Sequence, residues 1–161
     1  MTELERTSNQ LREIVSGYYD KMKMIADTNF STKPSSRKWS KKEVVGHLVD
    51  SAQNNLRRFI TGQYEKNPPH IVYAQEFWVD VNHYNQADKD DVLLLWKLIN
   101  ERICVVIENM PESNYQKACN TGKDQPDLHA LDWLARDYVE HLKHHLNQII
   151  PHSFPGHIYP K

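Results

Sequence analysis

Apolar residues recur along this chain at three- and four-residue steps, the period of an amphipathic helix, from near its start almost to its end. Leu4, Leu11, Ile14, Val15, Tyr18, Met22 and Ile25 trace one face of a first helix that ends near Asp27 to Phe30. The segment STKPSSRK then breaks the pattern with Pro34 and its serines. Ser40 and Glu43 form an S-x-x-E capping box, which starts a second helix sharply. Its core face is Val44, Val45, Leu48, Ala52, Leu56 and Phe59, and Gly62 with Pro68-Pro69 marks its end. A shorter helical stretch covers Ala74 to Tyr84. The acidic run from Asp88 to Asp91 suits the positive end of a third long helix. Val92, Leu95, Trp96, Ile99, Ile103, Val106 and Met110 form its stripe, and Pro111 stops it. A polar loop from Glu112 to Leu128 follows, and a fourth long helix runs from about His129 to Ile150, ended by Pro151. The tail, PHSFPGHIYPK, reads as extended chain lying over the surface.

Almost nothing reads as a strand, and no repeat is visible. Four long amphipathic helices with longish connections predict an all-α, four-helix bundle. The long connection between the second and third helices leaves room for a crossover rather than a plain up-down-up-down path. The length of 161 residues fits one domain over residues 1–161 and is enough to bury a core without staples. With 20 basic and 21 acidic residues the net charge is -1, which argues against a broad nucleic-acid surface. No apolar run approaches the roughly 20 residues that span a bilayer. The charged N-terminus, MTELERTSNQLREIV, lacks the pattern of a signal peptide. Cys104 lies in an apolar run and is read as a buried small hydrophobe, whereas Cys119 sits in a polar stretch and is read as exposed. Two unclustered thiols form neither a zinc knuckle nor a disulfide scaffold, so the expected setting is a reducing cytoplasm, with no membrane partner.

The chemistry concentrates in HLKHHLNQ, residues 141–148. His141 and His145 are four apart, so both imidazoles lie on one helix face within reach of one ion. That face is the apolar stripe of Leu131, Leu134, Tyr138, Leu142 and Ile149, while His144 turns away with Asp137 and Glu140. Burying a polar group without a partner costs roughly 1–3 kcal/mol. A shared metal would satisfy both rings; so would separate bonds to backbone carbonyls or a buried carboxylate. Leu142 stands where a metalloprotease helix carries its glutamate, so that reading is poor. On the second helix, His47 is off the core stripe, on the side of Glu43, Ser51 and Asn54, and periodicity alone reads it as solvated. Gly46 beside it would let another group come close. His70, His152 and His157 read as solvated loop residues, His129 as a surface residue near a helix start, and His83 as more at home on the surface than at a pocket mouth. The tryptophans read mostly as packing residues, with Trp78 placed to border a pocket.

WSKKEVVGHLVDSAQNN followed, about ninety residues later, by DYVEHLKHHLNQI resembles the DinB-like superfamily, particularly its YfiT-like members. FWVDVNHYNQADKDDVLLLWKLINERI is similar to the family's middle region, and the resemblance spans about residues 10 to 150. It implies a four-helix bundle with a crossover between the paired helices. It also implies a divalent metal, zinc or nickel, held by a G-H-L histidine on the second helix and an H-x-x-x-H pair on the last, here His47, His141 and His145. Trp39, Ser40 and Gln148 fit the same motifs. Three neutral imidazoles with open positions describe a catalytic rather than a structural site. The implied activity is metal-dependent hydrolysis, or transfer of a low-molecular-weight thiol to an electrophile, on a small-molecule substrate. The alternative is a non-catalytic metal-stabilised bundle acting as a sensor or interaction protein. The resemblance further implies a homodimer paired through bundle faces. No general acid or base stands out; Asp50, Ser51 and Asp137 are within helical reach of the ligands as supporting groups.

Overall fold

Capping boxes start two of the long helices. In the computed structural model, which describes residues 1–160, the Thr2 side chain accepts from the Glu5 N–H while the Glu5 carboxylate accepts from the Thr2 N–H, opening α1 (Glu3–Lys23). A short α2 (Asp27–Ser31) follows as a separate turn, so the first helix ends earlier than its apolar pattern suggests. Phe30 on α2 still reaches the core and is fully buried. Ser40 and Glu43 make the second capping box and open α3 (Lys41–Tyr64). Next come α4 (Gln75–Asn82) and α5 (Lys89–Glu108), the latter capped by Asp88 accepting from the Asp91 N–H. The loop expected from residue 112 to 128 contains a small antiparallel hairpin, β1 (Ala118–Asn120) with β2 (Leu128–Ala130), with Cys119 opposite His129. The last helix is α6 (Leu131–Ile149).

The four long helices form the expected bundle. α5 packs against α1 and α3, and α6 also packs against α1 and α3. α1 and α3 are therefore diagonal neighbours, as are α5 and α6, and the links between them cross the bundle. Residues 65–88 join the adjacent helices α3 and α5, and that stretch is used by α4 and a 3-10 turn (Tyr84–Gln86), both packed on α3. The core runs through all four helices, with Leu4, Leu11, Met22, Phe59, Trp96, Ile103, Leu142 and Leu146 buried.

Two packing details differ from the sequence reading. The buried face of α5 is Val92, Leu93, Trp96, Asn100, Ile103, Cys104 and Ile107, which leaves Leu95 exposed. The run Leu93-Leu94-Leu95 is apolar all round, so period alone cannot choose its inner member. Cys119 is buried rather than exposed, because β1 turns its thiol onto α3, 3.5 Å from the Arg58 carbonyl. Gly62 makes that contact possible: a Cβ there would lie 2.7 Å from Leu131 Cδ2 and 3.0 Å from Cys119 Sγ.

Gly46 has the same role at the other end of α3. The Tyr84 ring lies flat on its backbone, and an added Cβ would sit 2.1 Å from Tyr84 Cδ2. Tyr84 then donates its hydroxyl to Asp50 Oδ1 at 2.6 Å. Replacing a helical glycine by alanine ordinarily gains about 1 kcal/mol, but overpacking a buried site costs about 1–3 kcal/mol, and a contact this short decides the sign. Gly46→Ala is expected to lower the urea midpoint of unfolding; an unchanged or raised midpoint would show that Tyr84 is not fixed against α3.

Candidate metal centre

α3 and α6 place three imidazoles at one point inside the bundle. His47 lies in the second turn of α3, and His141 and His145 are one turn apart on α6. The Nε2 atoms of His141 and His145 are 3.0 Å apart. The His47 ring meets both edge-on, its centroid 5.5 Å from that of His141 and 4.7 Å from that of His145. One ligating atom from each of the three lies within 4.8 Å of the other two. Nitrogens bound about 2.0–2.1 Å from one ion sit roughly 3 Å from each other, so the His141–His145 pair already has a suitable separation.

The residues fit a cation on chemical grounds too. Gln148 Oε1 lies 2.9 Å from His145 Nδ1. An amide oxygen only accepts, so that Nδ1 carries the proton and His145 Nε2 keeps its lone pair. Two facing Nε2 atoms need a proton or a cation between them. His47 is 1% exposed, and its Nδ1 is buried with no hydrogen-bond partner. Burial pulls the His47 pKa down to about 3, and His145 adds to the effect. His141 is driven well below the usual histidine value by burial, then by His145, His47 and His144. Burial lowers His145 as well, with the Gln148 bond working against it. All three rings are thus neutral at pH 7, with lone pairs available to a metal.

The surroundings are polar but enclosed. Asp50 is buried, accepts from Tyr84, and has its second oxygen unpartnered. Burial pushes its pKa up to about 6, against the pull of the tyrosine bond. His47, Ser51, Asn54 and Arg58 follow one another at steps of four, three and four, one stripe along α3. This stripe, which looks solvated in the sequence, faces inward: His47, Ser51 and Asn54 are buried. Ser51, Asn55 and Arg58 line a cavity of about 450 Å³ that reaches His141. Asp137, the third supporting candidate, lies at the same cavity and accepts from Tyr159 at 2.9 Å.

The tail lies over the surface as expected, and reaches the site, but it turns at 151–156 rather than running extended. The Phe154 ring stacks on Tyr18, the Phe154 N–H donates to Asn147, and the Tyr159 ring meets His141 edge-on at 5.5 Å. His157 is not solvated as the sequence suggests; it docks on Glu140 Oε2 at 2.6 Å with its side chain 11% exposed. His129 is half-buried, paired with Asp127 at 3.0 Å and stacked on Trp133 at 3.9 Å. His70, His83 and His152 are exposed, and His144 stands outside the triad. Sequence reasoning missed Arg58 and Tyr84. For Arg58 a signal existed, since eleven residues after His47 is three helical turns and the same face.

The family model for the DinB superfamily matches residues 3–149. The candidate metal-dependent hydrolase YfiT of Bacillus subtilis (strain 168) is 22% identical over 139 residues, which are 86% of this chain and 78% of that protein. Another candidate metal-dependent hydrolase, from Bacillus licheniformis, is 27% identical over 117 residues, 71% of this chain and 64% of the relative. Among solved structures, YfiT from Bacillus subtilis, described as a probable metal-dependent hydrolase with an unusual four-helix bundle topology, aligns with a TM-score of 0.79 at 22% identity, over 91% of this chain and 83% of that one. The mycothiol-dependent maleylpyruvate isomerase aligns with a TM-score of 0.68 at 13% identity, over 89% of this chain but 59% of its own. These structural likenesses speak for the fold, and they match the bundle the sequence predicts.

The depressed histidines make the metal-free fold sensitive to acid. Each ring titrates near 6.5 when unfolded, whereas folded His47 titrates at about 3 and the other two are lowered. Below 6.5 the unfolded chain therefore takes up protons that the folded chain refuses, and stability falls as pH falls. Asp50, raised to about 6, works the other way, one group against three. The melting temperature of chelator-treated protein is expected to decline from pH 7 to pH 5, and less steeply in His47→Gln. Equal slopes in the two proteins would contradict the burial of a neutral His47.

Proposed function

This chain belongs to the DinB superfamily, and on that footing we propose that it is a metal-dependent enzyme acting on small molecules, with His47, His141 and His145 as the ligands of a zinc or nickel ion. The observation that carries this reading is the convergence of one nitrogen from each histidine within 4.8 Å. When bound, a divalent ion would supply Lewis-acid chemistry at the open end of the triad, acidifying water or a thiol or polarising a carbonyl.

The chain's own residues do the rest. Gln148 holds the His145 tautomer and the orientation of its ring. Burial keeps the three imidazoles neutral, so protons compete weakly for their lone pairs. The cavity beside His141 gives a small molecule a way in, and Tyr159 lies across one side of it. Two reactions fit this arrangement, hydrolysis and transfer of a low-molecular-weight thiol to an electrophile. The names of the Bacillus relatives favour the first, and the thiol dependence of the isomerase neighbour favours the second. We read residues 1–161 as one domain working in the reducing cytoplasm, in keeping with two free, buried thiols. No helix among the described residues is long and apolar enough to cross a membrane. We also read the chain as a homodimer. Leu94, Leu95 and Leu98 on the outer face of α5 are 44%, 45% and 48% exposed and offer an apolar surface to a second copy, which sedimentation of the purified chain tests.

Purified without a histidine tag, the protein is expected to carry close to one divalent ion per chain by elemental analysis, and His141→Ala to lose most of it. Thiol-dependent consumption of a chlorinated nitroarene, or hydrolysis across an ester panel, should then fall at least a hundredfold in His145→Ala. Metal absent from the wild type, or held equally by His141→Ala, would overturn the ligand set. Metal present with no turnover in either panel would overturn the enzyme and leave a metal-stapled bundle.

A further inference from the structure

Among the described residues Arg58 is the one large cation lining the cavity beside the triad, and none of them pairs with its charge. A guanidinium has five N–H donors. Nε and Nη2 both donate to the Ile71 carbonyl, at 3.2 and 2.6 Å, and Nη1 donates to Asn55 Oδ1 at 3.3 Å. Those acceptors are neutral. One N–H on each of Nη1 and Nη2 is left over, and among the described residues no carboxylate comes within ion-pair distance of the group. Burial disfavours its charged form; Asp137, across the same cavity, acts on it only at longer range. The Asp137 carboxylate is occupied by Tyr159, and Asp127 by His129. A half-buried cation held in place by neutral acceptors, with one N–H free on each terminal nitrogen, is arranged to receive an anion.

We propose that Arg58 anchors a carboxylate of the substrate, with the fork of its two free N–H groups, at the end of the cavity away from the histidines. The inference rests on the reading of the triad as the reacting end. Arg58 with Asp127 and Asp137 on the same cavity suits a monoanion better than a doubly charged phosphate. Arg58 is eleven residues beyond His47 on the same face of α3, about 16 Å along the axis, and its side chain leans back toward the N-terminus. The carboxylate and the reacting atom are then on the order of 10 Å apart. Tyr73, Trp133 and Tyr138 line the cavity together with Ser51, Gln75 and Thr121, so the stretch of substrate between the two ends meets aromatic rings interrupted by neutral polar groups. Arg58 is thus a specificity-determining residue, one that selects an elongated carboxylate-bearing molecule among the small molecules the metal end could process.

Binding to the metal-free protein tests this without reference to turnover. Three probes separate the charges: N-acetylalanine carries the carboxylate alone, N-acetylcysteine adds a thiol, and N-acetylcysteinamide keeps the thiol without the charge. In an NMR titration followed at the Arg58 Nε–H resonance in the wild type and at backbone amides of the cavity wall in every variant, both carboxylates are expected to bind about tenfold more tightly than the amide, the usual size of one charge-assisted pair. Arg58→Gln should erase that preference, and Arg58→Lys should keep part of it. His141→Ala, which removes a triad member, should leave it intact. Equal affinities for carboxylate and amide in the wild type, or an undiminished preference in Arg58→Gln, would overturn the proposal. Those outcomes leave the metal content unaffected, so they are distinct from a failure of the triad itself. The wild-type resonance reads the same answer if Arg58→Gln does not fold.

Discussion

Three neutral imidazoles held in contact with one another, His47 buried and His141 and His145 half-buried, are the constraint on which the rest of the molecule depends. Facing nitrogens 3.0 Å apart cannot both offer lone pairs without something positive between them. His47 brings a third ring to the same point and leaves a buried nitrogen without a partner. In a core made otherwise of Leu, Phe, Trp and Ile, such a cluster is a net cost unless a cation repays it. Depressed basicity at all three rings is the other face of that cost, since the surroundings that refuse a proton leave the lone pairs free for a metal.

The scaffold answers this constraint at several places. The α1–α3 and α5–α6 links cross the bundle, which brings α3 and α6 side by side and lets their histidines meet. Gly46 admits the Tyr84 ring against α3, and Tyr84 in turn ties the buried Asp50 one turn beyond His47. Gln148 sets the His145 tautomer from the C-terminal side. The tail, fastened through Phe154, His157 and Tyr159 to α1 and α6, covers part of the cavity without closing it. Along α3 the same inward face that carries His47 carries Ser51 and Arg58, so one helix runs from the histidine cluster along the cavity to Arg58.

Much of this is legible in the residues, and the exceptions share one cause. The capping box at Ser40, the helical period and the stops at Pro111 and Pro151 are local signals, and they place the long helices within a few residues. His141 and His145 are legible because spacing and face agree. His47 is not, since α3 is buried on both sides and its inward polar face has the composition of a solvated one; only the likeness of the G-H-L motif to a known family points to it. Cys119 and His157 fail to announce themselves for the same reason. Each owes its burial to a segment distant in sequence: β1 against Gly62 and Leu131, and the tail against Glu140. Periodicity describes a helix against one partner, and α3 has several.

X-ray absorption at the metal edge of the loaded protein shows whether these histidines share one ion with positions left open. Three imidazole nitrogens at about 2.0–2.1 Å are expected, with oxygen scatterers filling the remaining positions and one fewer imidazole in His47→Ala. A sulfur shell from Cys104 or Cys119, or an imidazole count unchanged by that substitution, would contradict the shared site.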